Sequence, residues 1–346
     1  MPPKKRILFL IGSMNQTLQM ESIASFLPEF DCYFSQLFSD NYFISRAIKL
    51  GVLDTTILGN KLRAIAETYL TSKGLPQDYQ ATQHSYDLVV YCSDMIIPKK
   101  LRGIKSIWVQ EGMIDPYTLL SKMIQQLKLP RYWSMGTSLN GTSNECDIYC
   151  TASSAYSDYI VKYGTNRKKT IITGIPNYDH LEKHLQNDFP HKDYVMVATT
   201  DMRETFRYEN RIEFIKKCVE ISNGRQLLFK LHPNEKFERA TQEIRQVCPE
   251  DTLIFTKGNT NEMIANSCEL ITQYSTVVYT GIALGKKVHS YFNLDDLYAQ
   301  MPIQNQGKSA EHIATICKNY INHTGDLDDF LRQIPSLTNQ SHVEAN

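Results

Sequence analysis

The chain has 346 residues, with 37 Lys+Arg against 37 Asp+Glu, so its formal net charge is zero. That balance excludes broad electrostatic binding to nucleic acid and a strongly cationic membrane-surface protein. The length suits two domains, each able to bury its own core, and no apolar run approaches the roughly 20 residues of a membrane span.

Lys4-Lys5-Arg6 followed by Ile7–Ile11 imitates a signal peptide, but the apolar core is short and no small-residue cleavage site follows. It reads as a first strand, Arg6–Ile11, running into Gly12-Ser13-Met14-Asn15-Gln16-Thr17 and a helix from about Leu18 to Leu27. The turn lacks G-x-G-x-x-G, so it is no dinucleotide fingerprint. Its polar residues, Asn15 and Gln16 among them, either line the acceptor side of a crevice or belong to a plain strand-to-helix loop. A strand-like Asp31–Leu37 comes next, then helical periodicity from about Ile44 to Thr71, and an apolar strand Tyr86–Cys92 ending in Ser93-Asp94.

Ser106–Val109 is a strand, and Glu111-Gly112 lands at its carboxyl end. A carboxylate there, beside a glycine that lets the backbone bend, suits a general base, and burial beside Trp108 and Met113 would raise its pKa. The bland alternative is a loop acid capping a following helix, and Asp115 is a second, weaker acid of the same kind. Tyr117–Trp133 reads as an amphipathic helix whose basic face (Lys122, Lys128, Arg131) is solvated, and Ser134–Asn144 as a turn-rich mobile loop on the acceptor side. Asp147–Thr151 is a strand, Ser154–Tyr163 a helix, and Lys169–Thr173 a strand ending in Gly174-Ile175-Pro176-Asn177-Tyr178-Asp179.

A hinge falls around Leu185–Lys192, dividing the chain into domains 1–187 and 188–346 with a polar, frayed tail from about Pro335. The second domain opens with strand Asp193–Ala198. Arg203 and Arg207 follow, placed either to clamp phosphate or as surface charges. Gln226–Leu231, Thr252–Phe255 and Glu269–Thr272 are near-continuously apolar, as buried parallel strands are. His232, Lys257, Gly258, Ser275 and Thr276 fall just past their carboxyl ends, where open α/β sheets bind ligands. Ser275-Thr276 opens a helix whose free amides and dipole form an anion site, or is an ordinary helix cap. Lys286-Lys287 then precede a last strand, Val288–Phe292.

The eight cysteines carry no C-x-x-C pair or His/Cys cluster, so most are small buried hydrophobes in a reducing cytoplasm. Asp326-Leu327-Asp328 spells D-x-D, but an apolar helix follows it directly, and helix capping accounts for it. No metal or cofactor is expected.

Gly174–Asp179, Arg203-Glu204, the K-L-H-P-N run at 230–234 and the run 273–286 together resemble the glycosyltransferase B (GT-B) superfamily. It includes non-hydrolysing UDP-N-acetylglucosamine 2-epimerases, CDP-glycerol glycerophosphotransferases and bacterial capsule sialyl- and Kdo-transferases. The resemblance implies an α/β fold of two Rossmann-like domains, their parallel sheets facing a central cleft, with the donor nucleotide on the C-terminal side. Gln110-Glu111-Gly112, His232-Pro233 and Ser275-Thr276 are similar to the polysialyltransferase-like motifs, except that Gln110 stands where an acid is usual. By that likeness Glu111 is the base on the acceptor hydroxyl and His232 contacts the donor phosphate. Ser275 and Thr276 hold the same phosphate, with Arg203, Lys257 and Gly258 as further nucleotide contacts.

The function so implied is metal-independent, inverting sugar transfer by direct displacement at the anomeric carbon. It would run from a nucleotide-sugar donor to a glycan acceptor in bacterial surface polysaccharide synthesis. The epimerase-type glycine pair and glutamate are missing from Gln273–Thr280, which weakens a UDP-sugar and favours a cytidine nucleotide, a CMP-sugar or similar, with CDP-glycerol and a UDP-sugar as the other donors. The implied location is cytoplasmic, at most peripheral at the inner face of the plasma membrane. An epimerase-type isomerase and a non-catalytic nucleotide- or glycan-binding protein remain the alternatives.

Overall fold

The computed structural model describes the chain except for residues 1, 2, 52, 54–56, 135, 205, 206 and 334–346. The polar tail expected from about 335 thus lies outside the described residues. Two compact units emerge: residues 1–179 with 302–346, and residues 180–301.

The first unit starts with β1 (Arg6–Ile11), whose apolar run is buried on both faces. Helix α1 (Met14–Ala24) begins four residues before the expected Leu18. Ser13 accepts from the Gln16 amide N–H and Gln16 reaches back to the Ser13 N–H, a capping box that fixes the start. Then come β2 (Asp31–Gln36), α2 (Tyr42–Lys49), α3 (Asn60–Ser72), β3 (Leu88–Tyr91) and β4 (Lys105–Val109). After them follow α4 (Leu119–Gln126), β5 (Ile148–Thr151), α5 (Ser154–Lys162) and β6 (Thr170–Ile172). The strands form one parallel sheet in the order β2-β1-β3-β4-β5-β6.

The second unit contains β7 (Tyr194–Ala198), α6 (Arg211–Ser222), β8 (Leu227–Lys230), α7 (Phe237–Val247) and β9 (Leu253–Phe255). It continues through α8 (Thr260–Asn266), β10 (Ser267–Thr272), α9 (Val277–Ala283), β11 (Lys287–His289) and α10 (Leu294–Gln300). Its parallel sheet has the order β11-β10-β7-β8-β9. Val195, Val197, Phe214, Ile215, Leu227 and Phe229 lie in its core.

The chain then returns to the first unit through α11 (Ser309–Asn322), which differs from a single division at 187/188. Ala310, Ile313, Ala314, Ile316, Cys317, Tyr320 and Ile321 join the core formed by Ile7, Phe9, Leu88, Val90, Ile107 and Ile148. Both ends of α11 are tied down. The Asp179 carboxylate accepts from the amides of Ser309 (3.1 Å) and Ala310 (2.9 Å), satisfying donors the helix start leaves open. At the other end Lys105 Nζ donates to the carbonyls of Tyr320 (2.7 Å) and His323 (2.6 Å), a cation at the negative end of the dipole. Gly174, at φ +79°, makes the docking possible, since a Cβ there would lie 2.5 Å from Ile303 O and Ser309 Oγ. The Gly174–Asp179 run therefore seats the returning chain. Beyond α11, Asp326 accepts from the Asp329 amide at 2.8 Å, so its D-x-D does cap the helical segment 327–333. Among the described residues no helix is long and apolar enough to cross a membrane.

Candidate active site

In the first sheet the strand order reverses between β1 and β3, and in the second between β10 and β7. Ligand crevices of open α/β sheets form at the carboxyl ends beside such reversals.

Beyond β4 stand Gln110 and Glu111. Gln110 is buried and fully engaged: its side-chain oxygen accepts from the Ala152 amide (2.9 Å) and its nitrogen donates to Gly112 O (2.8 Å). A carboxylate could not make the second bond, which is the physical reason an amide suits this position. The clamp bends the chain so that Glu111 meets the turn after β1. Its carboxylate accepts from Gln16 Nε2 at 2.7 Å and from Ser13 Oγ at 3.2 Å. Burial pushes the Glu111 pKa above the ordinary carboxylate range, and the two hydrogen bonds pull it part of the way back. A carboxylate held this way can accept a proton.

The other acceptor-side candidates are not brought to Glu111. Asn15 is exposed, and its carbonyl accepts from Asn177 at 3.1 Å. Asp115 accepts from the Thr137 amide (2.8 Å) and hydroxyl (2.9 Å), so it pins the 134–144 segment. That segment is also organised by an acid the sequence did not single out. Asp94, with no side-chain exposure, accepts from Arg131 (2.8 Å), the Gly141 amide (2.7 Å) and the Ser143 amide (3.0 Å).

Helix α4 reverses the expected amphipathic arrangement. Its inward side is largely polar, with Ser121 bonded to Ser138 (2.8 Å) and Gln125 to Tyr163 O (2.7 Å) around buried Ile124. Leu119 (81 % exposed), Met123 and Leu127 point outward. The apolar side is the solvated one, not only the lysines.

In the second unit His232 follows β8. Its Nδ1 accepts from the Asn234 amide at 3.2 Å and lies 3.7 Å from Asp201 Oδ2. With Nδ1 used as an acceptor, the neutral ring carries its proton on Nε2, which remains a donor for a ligand. The His232 amide donates to Thr199 Oγ1 (3.1 Å) and Glu235 Oε2 (2.9 Å). Glu235 also takes Arg211 Nη2 at 2.6 Å, and Thr200 donates to Gln273 at 2.9 Å. The loop carrying His232 is thus joined through the end of β7 to the loop carrying Ser275. None of Thr199, Thr200, Arg211 and Glu235 was read as functional. The available signal was the carboxylate three places after His232, the spacing at which a side chain reaches back to a backbone amide.

Ser275 and Thr276 do follow β10, but α9 has only seven residues and Thr276 makes no capping bond from its side chain. Ser275 Oγ accepts from the Val277 amide at 3.4 Å. Lys257 is exposed, and Gly258 has φ +110°, with its missing Cβ position 2.6 Å from Met263 Cε. Arg203 departs from expectation. Its two terminal nitrogens grip Glu243 at 2.7 and 2.8 Å, and Nε lies 3.3 Å from Glu209, so the group meant for phosphate is occupied by carboxylates. Lys230, buried at the end of β8, donates to Leu231 O (3.1 Å) and Thr256 O (3.3 Å), and burial lowers its pKa.

Several solved structures share this fold. A Listeria monocytogenes protein assigned as a UDP-N-acetylglucosamine 2-epimerase is 12 % identical, with 93 % of this chain and 98 % of that chain covered and a TM-score of 0.57. The Staphylococcus aureus MnaA–UDP structure is 11 % identical, covering 92 % and 97 % at a TM-score of 0.54. A variant of the wall teichoic acid polymerase TagF soaked with CDPG is 12 % identical, covering 92 % and 89 % at 0.51. Likeness at such identity shows the fold: α/β, two parallel sheets, GT-B-like. No curated protein sequence matches the chain. A family model does match, over residues 76–302, and that stretch holds Glu111, His232 and Ser275. Spanning more than half of the sequence, it shows that the chain belongs to the CDP-glycerol:poly(glycerophosphate) glycerophosphotransferase family.

Proposed function

We propose that the chain transfers glycerol phosphate from CDP-glycerol to a hydroxyl of a growing poly(glycerophosphate)-type polymer of a bacterial surface. The family match supports a transferase with a nucleotide donor, and its description favours a reacting centre at phosphorus over the anomeric carbon expected from sequence. Glu111 takes the proton of the acceptor hydroxyl. The new O–P bond forms at the phosphorus bearing glycerol, and the P–O bond to the departing CMP breaks. Charge gathering on CMP is met by His232 Nε2–H, with Ser275 and Thr276 beside it. Little covalent work falls to the protein in such a step, so positioning and charge stabilisation carry the rate. Arg203 enters as support for the loop after β7, and Lys257 and Gly258 as contacts to the nucleotide.

The observation that carries this reading is the Glu111 carboxylate, enclosed and hydrogen-bonded at the carboxyl end of β4 within the matched stretch. The experiment follows CMP release from CDP-glycerol with a poly(glycerophosphate) oligomer present and absent, in native and Glu111→Gln proteins. Acceptor-dependent release that survives EDTA and falls about a hundredfold or more in the variant is expected. Release seen only with a CMP-sugar would move the assignment to sugar transfer. A nucleotide sugar altered without acceptor would identify an epimerase instead.

A further inference from the structure

We propose that Glu235 is the positioning residue of His232, acting through the main chain and not on the substrate. The inference deepens the proposed function and rests on its assignment of His232 to the donor phosphate. Residues 232–235 close on themselves twice. The Glu235 amide donates to His232 O at 3.0 Å, and the Glu235 carboxylate returns to accept from the His232 amide at 2.9 Å. Pro233 stiffens the turn, and the Asn234 amide holds Nδ1 at 3.2 Å. The ring's outward nitrogen is therefore chosen by the turn, and the turn is fixed by Glu235.

That carboxylate has no exposure, and its two oxygens serve different elements. Oε1 takes Arg211 Nη2 at the start of α6, while Oε2 takes the Thr199 hydroxyl after β7 together with the His232 amide. Arg211 is buried too, donates to Thr200 O at 3.0 Å and has Nε 3.0 Å from Glu209. All three donors facing Glu235 need an acceptor. An amide in its place would set N–H against N–H or O–H on one side, freeing either Arg211 or the turn. A buried ion pair of this kind serves registration more than stability.

The test uses the full chain carrying isotopically labelled histidine, with ring-nitrogen signals reporting which nitrogen of His232 holds the proton. The native ring is expected to show the Nε2–H form. In Glu235→Gln and Glu235→Ala the signals are expected to average between tautomers. CDP-glycerol turnover should lose about tenfold or more in kcat while KM stays within about twofold, because the lost contact matters in the transition state. Glu235→Asp, which keeps the charge and both acceptors, should recover part of kcat. If both Glu235 variants fail to fold, Thr199→Val gives the same readout, with a smaller shift in the same direction. A folded Glu235→Gln or Thr199→Val protein with native ring signals and native kcat overturns the proposal. A His232→Ala chain that turns over normally overturns the phosphate assignment instead and leaves the ring-signal test of Glu235 in force.

Discussion

A carboxylate serves as a base only while ionised, and Glu111 sits where burial resists ionisation and two neighbours assist it. If Glu111 is the base of the proposed reaction, its raised pKa should place the acid limb of the kcat/KM profile at higher pH than an exposed glutamate would, with activity falling as pH drops through that limb. Gln16→Ala removes one contact that favours the charged form, so the limb should move to still higher pH. A pH–rate series on the two proteins checks this, and a limb that stays put or moves toward acid contradicts it. The place of Glu111 at a strand end could be read from sequence, because Glu111-Gly112 comes one residue after an apolar strand. Asp115 has much the same local signature, yet it ends on Thr137, which lies 22 positions away. Arg203 likewise looked free until α7 supplied Glu243. Local pattern places a charged group at a strand end, but its partners arrive from other elements, and those decide whether it remains available.

Between elements, β10 and β11 are joined by more than their ladder. Glu269 on β10 meets His289 (2.7 Å) and Lys287 (3.5 Å) of β11 and Arg225 (2.7 Å) ahead of β8. Although burial opposes it, hydrogen bonds from Arg225 and His289 hold the Glu269 carboxyl down at about 2. A depressed carboxylate pKa contributes stability above the unfolded value near 4.5, and that contribution disappears as pH falls through about 2. Denaturation of native and Glu269→Gln proteins should therefore differ most at neutral pH and converge as pH falls from about 4.5 to about 2. Helix α4 gives a second check. Leu127→Ser should change stability by less than about 0.5 kcal/mol, whereas Ile124→Ala should cost about 2–5 kcal/mol in urea melts. Most strand positions were legible, because parallel strands buried on both faces are apolar runs, but the last strand is Lys287–His289 and not Val288–Phe292, and it is only partly buried. The outward face of α4 was not, since its periodicity says that one side is apolar and not which side meets the body. Ser121 and Gln125 decide that, by bonding inward.

At the scale of the molecule, the two-domain α/β reading holds in its sheets and differs in how the chain is shared between the units. A cut at the hinge separates the sequence once, but α11 belongs to the first core. Its apolar face is as strong a helical signal as any, yet nothing local tells which sheet it covers. Asp179 and Gly174, far away in sequence, settle that. A chain ending at residue 307 would lose Ile313, Ile316, Cys317, Tyr320 and Ile321 from the first core and uncover the side chains clustered with them, Ile7, Phe9, Leu88 and Val90 among them. At roughly 1.5–3 kcal/mol per large side chain, that loss is comparable with the whole stability of a domain, about 5–15 kcal/mol. Limited proteolysis of this truncated chain should degrade the first unit and spare 180–301, and a native-like, cooperative melt of the first unit would contradict the role given to α11. The return of α11 also orders events during synthesis. As the polypeptide leaves the ribosome, residues 180–301 emerge complete and can close at once. The half made first must wait, part of its core bare, until residues 309–322 have followed.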